Sequence, residues 1–495
     1  MTTTANVQRS GMGLNKLIGI GVAVYAVIEA IAAYFFVFAP LYIKPVYALC
    51  ENYNANGTTC IVKLFGKMFA TKTEIANYQI ILNLWDTLFN VIIIYVLTTG
   101  ITLALAFCMY KGLSFAKSYF TAVFGAKHVI GLMALLIPFG NMLRSTMLFG
   151  VIVAVLNLIA CLYFVKINNE EYADDMLLTD EQISKMKKRM TFGCIVYGLF
   201  IAFVVLERFA MPALGSYWSL YLGWLNDTSI GQGWALTAII AVALVAAITY
   251  IREGDWALYF YTAFGTAAAV SNIIALIQRV LWIFNTYNPT KAAANAGDAD
   301  AQAWVSMNGM TTSWWLATIC LIVATLVAAV AALLGLKKVA KKLSFKFDPA
   351  DKKPALAVML GAGSLVASFV LTMAAVTVWH KMMFAGYPAG AMDYMYFIIY
   401  GGITLFLAMA MMGGYDFTKF GALAVYLLVV SNNFISIFSV FAQRSAAIQA
   451  GTVTTGTNYI ISGILFILAL ISCFAIIPVF AIKGVSEYQY AKRYF

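Results

Sequence analysis

Lys111-Gly112-Leu113-Ser114-Phe115-Ala116 ends one long apolar run and opens the next. The chain does this twice more, at Arg252-Glu253-Gly254-Asp255-Trp256-Ala257 and at Gly413-Gly414-Tyr415-Asp416-Phe417-Thr418. Glycine frees the backbone for a tight turn, and Ser114, Asp255 and Asp416 stand where a helix N-cap is expected. An aromatic residue follows in each copy, a type that suits the membrane–water interface. The likeness runs on past the turn. Thr121-Ala122-Val123-Phe124-Gly125 matches Thr262-Ala263-Phe264-Gly265 and, more loosely, Phe420-Gly421-Ala422, while Val270-Ser271-Asn272 matches Val430-Ser431-Asn432. The pattern predicts a unit repeated three times.

Composition says where such units live. Of 495 residues, 63% are hydrophobic and 11% charged, with a mean hydropathy of +0.86. A soluble domain carries about 25% charged residues, so the chain is read as an all-α integral membrane protein. The apolar runs are continuous, which excludes the alternating strands of a membrane barrel. Twelve spans are expected, near 16–39, 90–110, 115–138, 143–165, 191–211, 234–251, 256–284, 312–336, 355–379, 394–412, 417–441 and 459–482. The first is long enough to span, and no cleavage site for a signal peptide follows it.

Lysine and arginine set the orientation. With the three turns inside, inner segments hold 21 of the 32 basic residues and outer ones 10, and Lys127 alone is intramembrane. Both termini are then expected in the cytoplasm, with loops 40–77 and 285–311 outside. Gly112, Gly254 and Gly414 are 142 and 160 residues apart, room for four spans each. The expected fold is three tandem four-helix repeats in the same orientation, 1–167, 191–336 and 355–495, forming a pseudo-threefold bundle. An arginine marks the outer end of each third helix, Arg144, Arg279 and Arg444. The joining segments are 168–190, read as a short cytoplasmic helix behind the capping box Thr179-Asp180-Glu181-Gln182, and 337–354, read as a basic linker on anionic headgroups. The Ala-, Asn- and Asp-rich stretch 287–311 has no periodicity and is read as a mobile loop. Cys50 and Cys60 share one outer loop and are expected to form a disulfide. Cys108, Cys161, Cys194, Cys320 and Cys473 lie in apolar runs and are read as packing residues.

Ionisable groups inside a membrane are costly and mark either function or a pair. Glu29 lies 13 residues beyond Lys16 and Lys127 13 residues beyond Ser114, so both are about 20 Å in at 1.5 Å per residue. They are expected to pair. His128, roughly 100° further round the helix, faces elsewhere. Ser271 with Asn272, and Ser431 with Asn432 and Asn433, lie about one turn further out in the other two sets. These eight residues form a candidate polar pathway, against the plainer reading of interhelical hydrogen bonding. Asp86 and Glu207-Arg208 are read as interfacial, and the tryptophans near the outer boundary as an aromatic belt.

Several chemistries are absent from the sequence. It has no phosphate-binding loop, nucleophile elbow, HExxH or paired CxxC, so no catalytic residue, metal ligand or cofactor is assigned. The net charge of +11 is concentrated in inner loops and does not indicate nucleic acid. Twelve spans in three arcs of four resemble the layout of the haem–copper oxidase large subunit. That family needs six histidines for its haems and copper, and this chain has only His128 and His380, so the resemblance implies geometry and not redox chemistry. Two functions from different classes fit: a transporter or channel for a small solute or ion, and a non-catalytic scaffold or accessory subunit that meets protein partners in a larger membrane assembly.

Overall fold

The computed structural model of the chain describes residues 2–36, 39, 96–113, 115–136, 144–210, 230–252, 254–310, 312–343, 352–380, 391–451 and 455–494, and every regular element among them is a helix. Seven helical segments among the described residues are long and apolar enough to cross a membrane: Gly13–Phe36, Leu148–Asp175, Trp256–Asn295, Trp314–Lys337, Lys352–Trp379, Thr418–Gln449 and Thr457–Ala481. Val96–Tyr110, Ile239–Ile251 and Tyr400–Met412 are shorter apolar helices. Large apolar side chains point outward, with Leu17, Leu427 and Phe434 more than half exposed. That suits hydrocarbon surroundings, which helices enter because their backbone bonds are all internal. The described residues are thus all-helical, with the lengths and apolar surfaces that suit a membrane protein. The chain forms two compact units, Met1–Ile183 and Ser184–Phe495.

The first unit comprises α1 (Thr2–Ala33), α2 (Val96–Tyr110), α3 (Phe115–Leu136) and α4 (Arg144–Asp175). Close approach is set by small residues. A Cβ on Gly19 of α1 would lie 2.8 Å from the Ala106 carbonyl oxygen of α2, and one on Gly131 of α3 would lie 3.2 Å from Ala154 Cα of α4. Between α3 and α4, Phe164 stacks on Phe120 at 4.8 Å and on Phe124 at 5.8 Å.

The second unit begins within α5 (Asp180–Ala210), at Ser184, and runs through α6 (Ile230–Ile251), α7 (Trp256–Trp282), α8 (Asn288–Asn295), α9 (Ala299–Asn308) and α10 (Thr312–Leu343). It continues with α11 (Lys352–His380), α12 (Ala391–Met412), α13 (Thr418–Gln449), α14 (Thr457–Cys473), α15 (Ile477–Ala481) and α16 (Val485–Tyr494). Its centre is α7, which packs on both α10 and α12. Gly265 of α7 comes so near α10 that a Cβ would lie 2.9 Å from Ala332 N, and Gly402 of α12 gives the same room to Phe264. Beside it α11 packs on α12 and α14, and Ser462 Oγ of α14 donates to the Ala375 carbonyl at 2.7 Å. The terminal α16 covers the third turn. Gln489 Nε2 donates to the Met411 carbonyl at 3.4 Å, and Lys419 Nζ reaches Asp416 at 2.5 Å and Ser486 Oγ at 2.7 Å.

The three turns close their helices with one hydrogen-bond pattern. Leu113 N donates to Cys108 O at 3.0 Å, Gly254 N to Thr249 O at 2.9 Å and Tyr415 N to Ala410 O at 3.0 Å. This is the six-residue closure of a Schellman motif. In the first and third turns the left-handed residue before the donor is glycine, Gly112 (φ +84°) and Gly414 (φ +87°). Gly254 is itself the donor, so it corresponds to Leu113 and Tyr415: the three quoted stretches stand in register, and the glycine of the second lies one place later than Gly112 and Gly414. Of the expected N-caps, Asp255 and Asp416 do not make theirs. Asp255 has helical dihedrals (φ −59°, ψ −15°) and no side-chain cap bond, because a capping carboxylate needs an extended backbone to reach back. It pairs instead with Arg189 at 3.6 Å. Asp416 pairs with Lys419, and Ser114 lies outside the described residues.

Three joining segments also differ from expectation. Most of the stretch read as a loop at 287–311 is helical, over Asn288–Asn295 and Ala299–Asn308. A π-turn, Ile283–Tyr287, carries α7 into α8, which has Pro289 in its first turn. Gly297 takes φ +99°, and Asp298 caps α9 by accepting from Asp300 N and Ala301 N. Alanine is the strongest helix former, and proline in the first turn with glycine after the end are ordinary helix boundaries. The capping box at Thr179 forms, with Gln182 Oε1 2.9 Å from Thr179 N. The helix it opens is no separate cytoplasmic element, for α5 continues 31 residues to Ala210 because neither glycine nor proline interrupts 180–192. Likewise α10 continues to Leu343, so the lysines of 337–342 begin on a helix and not in a linker. Cys50, Cys60 and Asp86 lie outside the described residues, as do the side chains of Arg144, Glu207, Arg208 and His380. The other five cysteines are thiols, none in a disulfide.

Candidate functional site

The first unit buries an acid and a base against each other. Glu29 is 4% exposed and Lys127 6%, and Lys127 Nζ donates to Glu29 Oε2 at 2.5 Å. Each backbone gets there by simple counting, because 13 residues of helix carry α1 from Lys16 and α3 from the turn to the same depth. A midplane charge costs about 2.5–3.5 kcal/mol even on the mild insertion scale, so both groups need this partner. The second carboxylate oxygen is also used. Asn157 Nδ2 of α4, fully buried, donates to Glu29 Oε1 at 3.2 Å. Asn157 Oδ1 in turn accepts from the Tyr25 hydroxyl at 3.0 Å. Tyr25 is half-buried and lies four residues before Glu29, one turn along the same face of α1.

Four polar groups therefore form a hydrogen-bonded chain, Lys127–Glu29–Asn157–Tyr25, from the buried middle of the unit to a half-buried hydroxyl. On the side of the α2–α3 turn, Phe120, Phe124 and Phe164 stack on one another beside this chain. Phe124 precedes Lys127 by three residues on α3, and its ring lies 6.1 Å from that of Tyr25. His128 turns away from the pair. Its Nδ1 lies 2.7 Å from the Ala154 carbonyl of α4, an acceptor, so Nδ1 carries the proton.

The polar residues proposed from the second unit fall into different settings. Ser271 (3% exposed) and Asn272 (0%) are buried on α7. On α13, Ser431 is exposed and bonds its own helix at the Leu428 carbonyl. Asn432 is exposed as well, whereas Asn433 is buried and donates to Thr372 Oγ1 of α11 at 2.8 Å. Three consecutive residues thus point to two sides of one helix, and Asn433 serves interhelical bonding.

Sequence reasoning missed Asn157 and Tyr25. Asn157 carries a signal, being one amide inside Val155-Leu156-Asn157-Leu158-Ile159. Tyr25 does not, because tyrosine is frequent here and only the fold aims its hydroxyl. The described residues hold no group of three or more His, Cys, Asp or Glu side chains able to take a metal. No protein family, curated protein or solved structure matches this chain.

Proposed function

We propose that the protein is a transporter or channel for a small solute or ion, built from about twelve spans in three four-helix sets of one orientation with both termini cytoplasmic. The observation that supports transport is the chain Lys127–Glu29–Asn157–Tyr25. A buried pair needs a donor on its second carboxylate oxygen in any case; what supports transport is that the bonds run on past Asn157 to the half-buried Tyr25 hydroxyl. In this reading, opening the pair exposes one charge to the solute or proton, Asn157 holds the carboxylate meanwhile, and the Phe120–Phe124–Phe164 stack is the barrier on the turn side. His128, held by the Ala154 carbonyl, is the side chain available as a relay, because histidine is the residue type that ordinarily exchanges a proton near neutral pH. Three observations support the set-wise architecture: the shared closure of the three turns, the pairing of third with fourth helices (α3 with α4, α7 with α10, α13 with α14), and the sequence matches beyond each turn. The basic residues of the inner segments would rest on anionic headgroups.

A second reading, a non-catalytic scaffold or accessory subunit with protein partners, is favoured by one observation. None of the described apolar spans is broken at mid-membrane, where transporters often bind their substrates. The experiment that separates the two compares wild type, Glu29→Gln, Lys127→Met and the double variant, by thermal melting in detergent and by solute or proton flux in liposomes. Each single change strands a buried partner, which costs about 3–5 kcal/mol, and the double change returns much of that stability. Transport through the pair predicts a double variant that is stable and without flux. A stable double variant with intact flux would make the pair structural. A coupling energy near zero would remove the site.

A further inference from the structure

The second unit contains a cavity of about 420 Å3 between α7, α11 and α12. Ala267, Val270 and Ser271 line it from α7, Val370 and Ala374 from α11 and Leu405 from α12. Among the described residues no charged side chain lines it; its polar lining is the hydroxyls of Thr266, Ser271 and Thr377, and that of Thr266 is turned back onto its own helix at the Thr262 carbonyl, 2.7 Å away. The cavity is long and narrow. Its α11 wall runs from Phe369 to Val378, about 14 Å at 1.5 Å per residue. Dividing 420 Å3 by that length leaves a cross-section of about 30 Å2. At its rim Val270 is 51% and Val370 54% exposed, in the middle of two segments apolar enough to span, Trp256–Asn295 and Lys352–Trp379. The slot therefore opens sideways, toward the hydrocarbon of a bilayer.

What fills it follows from shape and wall chemistry. A partner helix is about 10–12 Å across with its side chains and is too thick. Water needs two to four polar partners each, and these walls offer almost none. A carboxylate or other charged head would meet no described charged residue inside the slot, so only a chain, and not a head group, belongs there. The remaining occupant is a flexible hydrocarbon chain whose polar head stays outside the slot. We propose that this slot binds one acyl chain of a bilayer phospholipid, in a site independent of the Glu29–Lys127 pair and of the transport reading.

The test uses the full chain in phosphatidylcholine liposomes carrying a trace of phosphatidylcholine with a diazirine midway along one acyl chain. Labelled peptides are mapped by mass spectrometry after illumination. Labelling of 266–271 and 369–378 should exceed, several-fold, that of the exposed α13 face around Leu427 and Leu428. Ala374→Phe and Ala267→Phe, which fill the slot from opposite walls, should each abolish the excess while leaving the α13 labelling unchanged. If neither variant keeps its melting transition, the wild-type map decides alone, and labelling no denser than on α13 would overturn the site. Labelling of the slot by a diazirine fatty acid but not by the phospholipid would overturn the assigned ligand. A cross-link from Ala374→Cys to residues 381–390 of the same chain would show the slot filled by the protein itself, and would also overturn it.

Discussion

The buried cluster of the first unit ranks its members by what each would leave behind. Lys127 and Glu29 neutralise each other, so losing either exposes a full charge. Asn157 is neutral, yet it serves two groups at once, donating to Glu29 Oε1 and accepting from Tyr25. Asn157→Leu removes both bonds at nearly the same volume and leaves a buried carboxylate oxygen short of a donor. The expected loss is about 1–3 kcal/mol. Tyr25→Phe removes one bond from a half-buried hydroxyl and should cost less, about 0.5–1.5 kcal/mol. Melting the two variants beside wild type checks the order. Equal losses, or a larger loss for Tyr25→Phe, would mean that Asn157 does not support the carboxylate. This scale was partly legible in the sequence. A charge in an apolar run announces itself, and counting residues along a helix gave Glu29 and Lys127 the same depth. The partner of His128 was not legible, since it depends on how α3 is rotated against α4.

At the scale of elements, the boundary between α4 and α5 shows what left-handed positions demand. Leu178 N closes α4 on the Ala173 carbonyl at 3.0 Å, the same closure as in the three turns. The residue at the left-handed position is Leu177, φ +48° and 87% exposed. A left-handed L-residue costs about 1–2 kcal/mol, and no packing offsets it here. Leu177→Gly removes that strain but loses about 0.5–1 kcal/mol to the greater freedom of the unfolded chain. The net expectation is a stabilisation of about 0.5–1 kcal/mol, seen as a raised melting temperature. A lowered one would mean that Leu177 makes contacts in the membrane-bound protein. The sequence revealed the glycines of the turns but not that they fill two places: donor and aromatic are two residues apart in all three turns, and Gly254 stands at the donor's place where Gly112 and Gly414 stand one before it. It hid α8 and α9 for a different reason. Ala, Asn and Asp were read as loop composition, although alanine favours helix and Asp298 caps one.

At the scale of the whole molecule, hydropathy gave the class, and seven described segments have the length and apolarity to span. The helices that were hardest to bound are those whose basic ends run on past the membrane. Without a breaker, α5 and α10 simply continue, and composition cannot say where water begins. The orientation of the chain can be tested at two exposed positions, Glu181 and Asp300. Glu181 opens α5 on the side of the second turn, since Arg189, two turns on, pairs with Asp255. Asp300 follows the far end of α7, a helix of 27 residues, about 40 Å long. The two positions therefore belong to opposite sides of the membrane. With the turns inside, Glu181→Cys should resist an impermeant maleimide in intact cells and react after lysis, while Asp300→Cys should react in intact cells. The experiment belongs in a Cys50→Ser, Cys60→Ser background, because that pair is expected on the same side as Asp300. In the wild-type background the pair gives an independent reading: no labelling in intact cells until a reductant is added, if the two form the expected disulfide. Labelling at 181 and protection at 300 would invert the whole chain, move both termini outside and place the basic segments away from the anionic leaflet. Labelling at both positions would mean that α7 does not cross, which would end the three-set architecture and leave the Glu29–Lys127 pair as a property of the first unit alone.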